Sequence, residues 1–168
     1  MRPREYRFLT SWLIAAEREP LFAALWDSAR WPEWWPGVVA ATETDPGDPA
    51  TGLGRRGRYE WRSTIPYPVR FEVVATRVEP PLLLEGEASG GIVGVGRWRL
   101  LRWDGDGGGA APPLTAVLYE WNVRTPKVWM NLLAPIAAPV FRWNHDRLMA
   151  AGGAGLARRL GTTLVAGS

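Results

Sequence analysis

Apolar and polar residues alternate along most of this chain, with helical spacing confined to a short interval near the start and a long one at the end. Residues 5–14 form the first candidate strand. Residues 19–28 carry Leu21, Phe22, Leu25 and Trp26 at helical spacing, with Pro20 at the entry, where a missing N–H costs least. The stretch Trp31-Pro32-Glu33-Trp34-Trp35-Pro36-Gly37 allows only a second short helix or turn, because two prolines forbid a longer one. The period then becomes two over residues 38–44, 54–63, 68–78, 82–89, 93–103 and 114–124. Tyr59, Trp61, Phe71, Trp98, Tyr119 and Trp121 fall on one phase, and Arg56, Arg58, Arg62, Arg97, Arg99, Glu60, Glu85, Glu87 and Glu120 on the other.

One wet face and one buried face are expected of antiparallel strands. Thr125 and Pro126 suit a helix start, Pro135 a break, and residues 136–160 a long helix with Ala137, Phe141, Asn144, His145, Leu148 and Gly152 on one side. Gly152, Gly153 and Gly155 either weaken its last third or let it approach a neighbour closely. This order predicts an α+β architecture: a curved seven-stranded antiparallel sheet wrapped around a long C-terminal helix, with two short helices after the first strand. Residues 1–168 are expected to form a single domain, with 162–168 a disordered tail. The turn-rich stretches 46–52 and 104–113 connect strands rather than domains. Such a sheet around one helix leaves space that side chains need not fill, the natural place for a ligand.

Composition narrows the chemistry. With 168 residues the chain is long enough to bury a core without staples. Cysteine is absent and His145 is the lone histidine, which excludes disulfides, thiolate chemistry and multi-histidine metal sites, so no metal and no cofactor are expected. Lys127 is the one lysine among 20 basic residues, a bias that fits GC-rich codon usage. Glutamates interleave the arginines, which argues against nucleic-acid binding. The apolar run 128–141 is interrupted by Asn131, Pro135 and Pro139 and is too short to span a membrane. Glu5 and the lack of a cleavage site argue against a signal peptide, leaving the bacterial cytoplasm as the expected location.

The 11 tryptophans are the anomaly, since indoles gather in ligand pockets and interfaces. Tyr59, Trp61, Phe71, Trp98, Tyr119 and Trp121 either pack as core or wall a cavity beside Gly86, Gly94 and Gly96. Trp34 and Trp35 either border its mouth or clamp the bottom of the sheet. Phe141 and Leu148 would face it from the helix. Asn144 and His145 are either satisfied structural residues or the polar end of the cavity. With Tyr119 they are the candidates for proton transfer, His145 because it titrates near neutrality. No carboxylate lies on the inward phase, which disfavours paired-carboxylate catalysis. Arg56, Arg58, Arg62, Arg97 and Arg99 form either a solvated outer face or a docking surface for an acidic acyl carrier protein or an anionic membrane.

Leu25-Trp26-Asp27, the run from Trp31 to Val38, Tyr119-Glu120-Trp121 with Thr125-Pro126, and Phe141-Arg142-Trp143-Asn144-His145-Asp146 with Met149 and Gly152 resemble the START-like, or SRPBCC, superfamily. More narrowly they are similar to the bacterial polyketide cyclase/dehydrase and lipid-transport family. In element order the resemblance covers essentially the whole chain. It implies the helix-grip fold and binding of a lipid or polyketide-like molecule in an internal cavity. The alternative it implies is an aromatase/cyclase-type enzyme that holds a poly-ketone chain for ring closure or dehydration. No catalytic motif is common to the superfamily, so the resemblance assigns no catalytic residue.

Overall fold

The computed structural model describes residues 5–62, 68–104, 113–124 and 134–167, with the side chains of 134–138 left aside. Strand β1 spans Glu5–Ile14. Helix α1 (Arg18–Trp26), a 3-10 turn (Ser28–Arg30) and helix α2 (Trp31–Trp34) follow. The remaining strands are β2 (Val38–Asp45), β3 (Arg56–Trp61), β4 (Val69–Glu79), β5 (Leu83–Gly90), β6 (Val93–Trp103) and β7 (Leu114–Arg124). Helix α3 (Ala134–Arg159) and a last strand, β8 (Leu164–Gly167), complete the chain. The expected helix start at Thr125 and Pro126 lies outside the described residues. The expected break at Pro135 is not found: that residue falls in the first turn of α3, and Pro139 sits inside the helix.

The strands form one antiparallel sheet in the order β2-β3-β4-β5-β6-β7-β1-β8. Two expectations are corrected here. The sheet has eight strands rather than seven, and the segment 162–168 contributes the eighth instead of a disordered tail. Leu13 pairs with Ala166 and Ile14 with Leu164, and the Ala15 N–H donates to the Thr163 carbonyl at 3.0 Å. Backbone groups along the open edge of β1 thereby find partners that water would otherwise supply.

Alternation decides the faces. Thr10, Trp12 and Ile14 of β1 are buried, as are Val117, Tyr119, Trp121 and Val123 of β7. Across the strands these positions align into rows. One row runs Ala75, Gly86, Gly96, Trp121, and the next runs Leu84, Trp98, Tyr119, Thr10. On the outer phase arginines and glutamates pair across strands: Arg70 with Glu60 at 2.8 Å, Arg58 with Glu72 at 3.4 Å, and Arg97 with both Glu85 and Glu120. Exposed pairs of this kind add little stability, each about 0–1 kcal/mol.

Helix α3 packs on the concave side against β1, β8 and α2. Its glycines are the reason it can. A Cβ on Gly153 would stand 2.9 Å from the Trp12 indole, one on Gly152 2.3 Å from Trp35, and one on Gly155 under 2 Å from the Trp34 carbonyl oxygen. The glycine run is therefore a close-approach surface for three tryptophans. Met149 and Leu156, fully buried, continue the helix's inner stripe. No helix among the described residues is long and apolar enough to cross a membrane.

Candidate functional site

Because α3 docks over β1 and β8, it leaves the concave face of β3 to β7 uncovered by the long helix. The segment from α1 to α2 roofs that part instead. Between roof and sheet lies a cavity of about 100 Å³ that opens to solvent at one end. Its floor is a cross-strand row of small residues, Ala75, Gly86 and Gly96, onto which neighbouring side chains lean: a Cβ on Gly86 would meet Val73 at 2.6 Å. A Cβ on Gly96 would meet the Trp121 ring at 2.7 Å and the Tyr119 hydroxyl at 3.0 Å, so glycine lets both rings lie close against the sheet.

The walls are rings. Tyr59, Trp61, Phe71, Trp98, Tyr119 and Trp121 all line the cavity, joined by Leu25, Trp26 and Trp31 from the roof. Trp98 stacks on Tyr119 with centroids 3.9 Å apart, Tyr119 on Trp121 at 5.8 Å, and Tyr59 on Phe71 at 5.6 Å. These contacts hold the rings as fixed, flat surfaces, each pair contributing about 0.5–1.5 kcal/mol beyond burial. Glu43 and Arg56, both exposed, mark the solvent end. There Arg55 lies over the Trp26 ring at 4.3 Å, donates to the Trp26 carbonyl, and donates from Nε to Glu43 Oε2 at 2.6 Å. It fixes the end of α1 against the β2–β3 connection and holds Trp26 as part of the mouth.

The phenols of the wall are protonated donors at neutral pH. Burial holds the Tyr119 phenol well above its ordinary value, with nearby Tyr59 adding to the effect. Burial also raises Tyr59, against the opposing hydrogen bond with Ser28, whose hydroxyl lies 2.7 Å from the Tyr59 oxygen. Among the described residues no group of three or more His, Asp or Glu side chains converges as metal ligands would.

The other candidate residues fall elsewhere. Trp35 is fully buried and donates its indole N–H to the Leu148 carbonyl at 2.9 Å. It backs the wall, touching Trp61 and Trp98 from behind at 5.4 and 6.1 Å. Trp34 is buried beneath Gly155. The two are the clamp that closes the sheet under α3, and Trp31, three residues earlier, is the indole that reaches the cavity.

Phe141, Asn144 and Leu148 are half-buried on α3 and are not among the residues that line the cavity; Leu148 packs against Gly37 instead. His145 is only 9% exposed and faces β1, stacked on Phe8 at 4.2 Å with Nε2 3.4 Å from the Thr10 hydroxyl. It too is not among the lining residues. Sequence reasoning missed Trp26, Ser28 and Trp31 as roof residues: the helical stripe of 19–28 gives Trp26 a face but no partner, and the short helix between prolines that holds Trp31 shows no period. Val73 and Ala75 were available from the phase of β4.

Burial lowers the His145 pKa to about 4. The unfolded chain takes up its proton near pH 6.5 and the folded chain near 4. Stability should therefore be complete above pH 6.5 and fall as the pH drops from there toward 4. Between pH 7.5 and 5 the loss should be about 2 kcal/mol. Urea unfolding of the parent and of His145→Gln across that range checks this: the slope should flatten in the variant.

No protein-family model matches the chain, and no curated protein matches it in sequence. Solved structures do match. A START superfamily protein from Mycobacterium smegmatis superposes with a TM-score of 0.69 at 11% identity, over 92% of this chain and 97% of that one. The fold is START-like. The Zhui aromatase/cyclase of Streptomyces sp. R1128 gives a TM-score of 0.66 at 13% identity, over 91% and 92% of the two chains. The di-domain aromatase/cyclase BexL of the BE-7585A biosynthetic pathway gives 0.65 at 14%, over 90% of this chain. The present chain spans about half of BexL, 48% of its length. Identities this low establish the START-like architecture and leave activity to the site itself.

Proposed function

We propose that this START-like chain binds a hydrophobic small molecule, a lipid or a flat polyketide-like compound, between the aromatic walls of the β3–β7 cavity. The carrying observation is a cavity walled by stacked rings over a floor of small residues, Ala75, Gly86 and Gly96. Interiors elsewhere are packed near crystal density, so a glycine-floored space between rings is suited to an apolar occupant.

Binding is favoured over turnover by what the wall holds. Its carboxylates are engaged, Glu43 by Arg55 and Glu85 by Arg97. Its phenols stay protonated, and His145 is not among its lining residues. A second reading, an aromatase/cyclase, draws support from the named activities of Zhui and BexL. In that case the cavity would act by holding a chain in a reactive shape.

Mass spectrometry of the purified protein under native conditions tests the first reading. A co-purifying apolar molecule, released on denaturation, is expected. A ligand-free mass, together with conversion of a poly-ketone substrate mimic into a cyclised product, would favour the second.

A further inference from the structure

Several polar side chains of the lining are engaged with neighbours: Glu43 with Arg55, Glu85 with Arg97, and the Ser28 and Tyr59 hydroxyls with each other. Three donors are not. The Tyr119 hydroxyl forms no hydrogen bond among the described residues and lies over the bare backbone of Gly96, in the glycine row of the floor. The indole N–H groups of Trp31 and Trp61, both on the lining, are buried without a partner. The N–H groups of Trp12 and Trp34 also lack partners, but those residues lie under Gly153 and Gly155 of α3 and do not border the cavity.

Buried donors left unmade are costly, and a molecule that brings an acceptor to them removes that cost. Resting on the binding function above, we propose that the site selects flat aromatic ligands bearing a carbonyl oxygen, and that the Tyr119 hydroxyl is the donor that reads it. A pure hydrocarbon fills the space but leaves the donors unsatisfied.

The test pairs 9-fluorenone with fluorene, two planar tricyclic compounds that differ at one carbon. Calorimetric titration of the full chain should show fluorenone binding about fivefold to tenfold more tightly than fluorene. In Tyr119→Phe, a nearly isosteric change, the ratio of the two affinities should collapse toward one. The carbonyl stretch of bound fluorenone should also move to higher frequency as its hydrogen bond is lost. A ratio that persists in Tyr119→Phe, or a parent protein with no preference for the ketone, would overturn the inference while leaving binding intact. If neither compound binds the parent protein, the cavity does not take flat aromatic ligands and the inference is overturned, while a lipid ligand is tested separately by the native mass measurement.

Discussion

Replacing Trp35 with alanine is expected to lower the unfolding free energy by about 4 kcal/mol, in the upper range for a buried aromatic. The ring is fully buried and makes contact with Trp12, Trp31, Trp34, Trp61 and Trp98. Its removal opens a void at the junction of α2, α3 and the sheet and leaves the Leu148 carbonyl without its donor. Urea unfolding followed by circular dichroism measures the loss. Trp103→Ala, on a residue 54% exposed, is the matched control and should change stability by less than about 0.5 kcal/mol. A small effect at Trp35 would mean that the indole cluster is not the core of this fold.

Gly155→Ala should destabilise by about 3 kcal/mol, although alanine in a helix ordinarily gains about 1 kcal/mol over glycine. The sign reverses because the new methyl group would stand under 2 Å from the Trp34 carbonyl oxygen, a backbone atom that has no rotamer by which to withdraw. Helix α3 would have to lift off α2, loosening the packing over Trp35 and Trp12 as well. Thermal and urea unfolding of the variant check the sign. A gain in stability would place the helix further from α2 than described.

The parts of the molecule legible in its sequence are those governed by a local period. Strands β1, β6 and β7 match the expected ranges, because each carries ten or eleven residues of clear alternation. The same alternation placed Tyr59, Trp61, Phe71, Trp98, Tyr119 and Trp121 on the face that lines the cavity. Strand β8 escaped notice because four residues, Leu164 to Gly167, carry too little pattern, and pairing with β1 rather than propensity makes them a strand.

The helix stripe was partly readable: His145 is buried as its phase required. Which strands the helix would cover was not readable, because a stripe fixes the face of a helix and not its partner. That choice came from the Gly152–Gly155 surface meeting Trp12 and Trp35, a long-range fit between distant parts of the chain. It left His145, Asn144, Phe141 and Leu148 off the cavity lining. The roof tryptophans were hidden for a related reason, since Trp26 and Trp31 take their direction from Arg55 and Tyr59 across the mouth.

The central claim, that the space over Ala75, Gly86 and Gly96 receives a ligand, is tested most directly by filling it. Ala75→Phe places a ring in the cavity beside Gly86 without touching the indole cluster around Trp35. Intrinsic fluorescence should be titrated in parent and variant with a panel of flat polyphenols, fatty acids and sterol-like compounds. Saturable binding is expected in the parent for at least one class, weakened about 30-fold in Ala75→Phe, a loss of about 2 kcal/mol, with the unfolding midpoint little changed. Equal affinity in the two proteins, or no saturable change in the parent with any compound, would contradict the account.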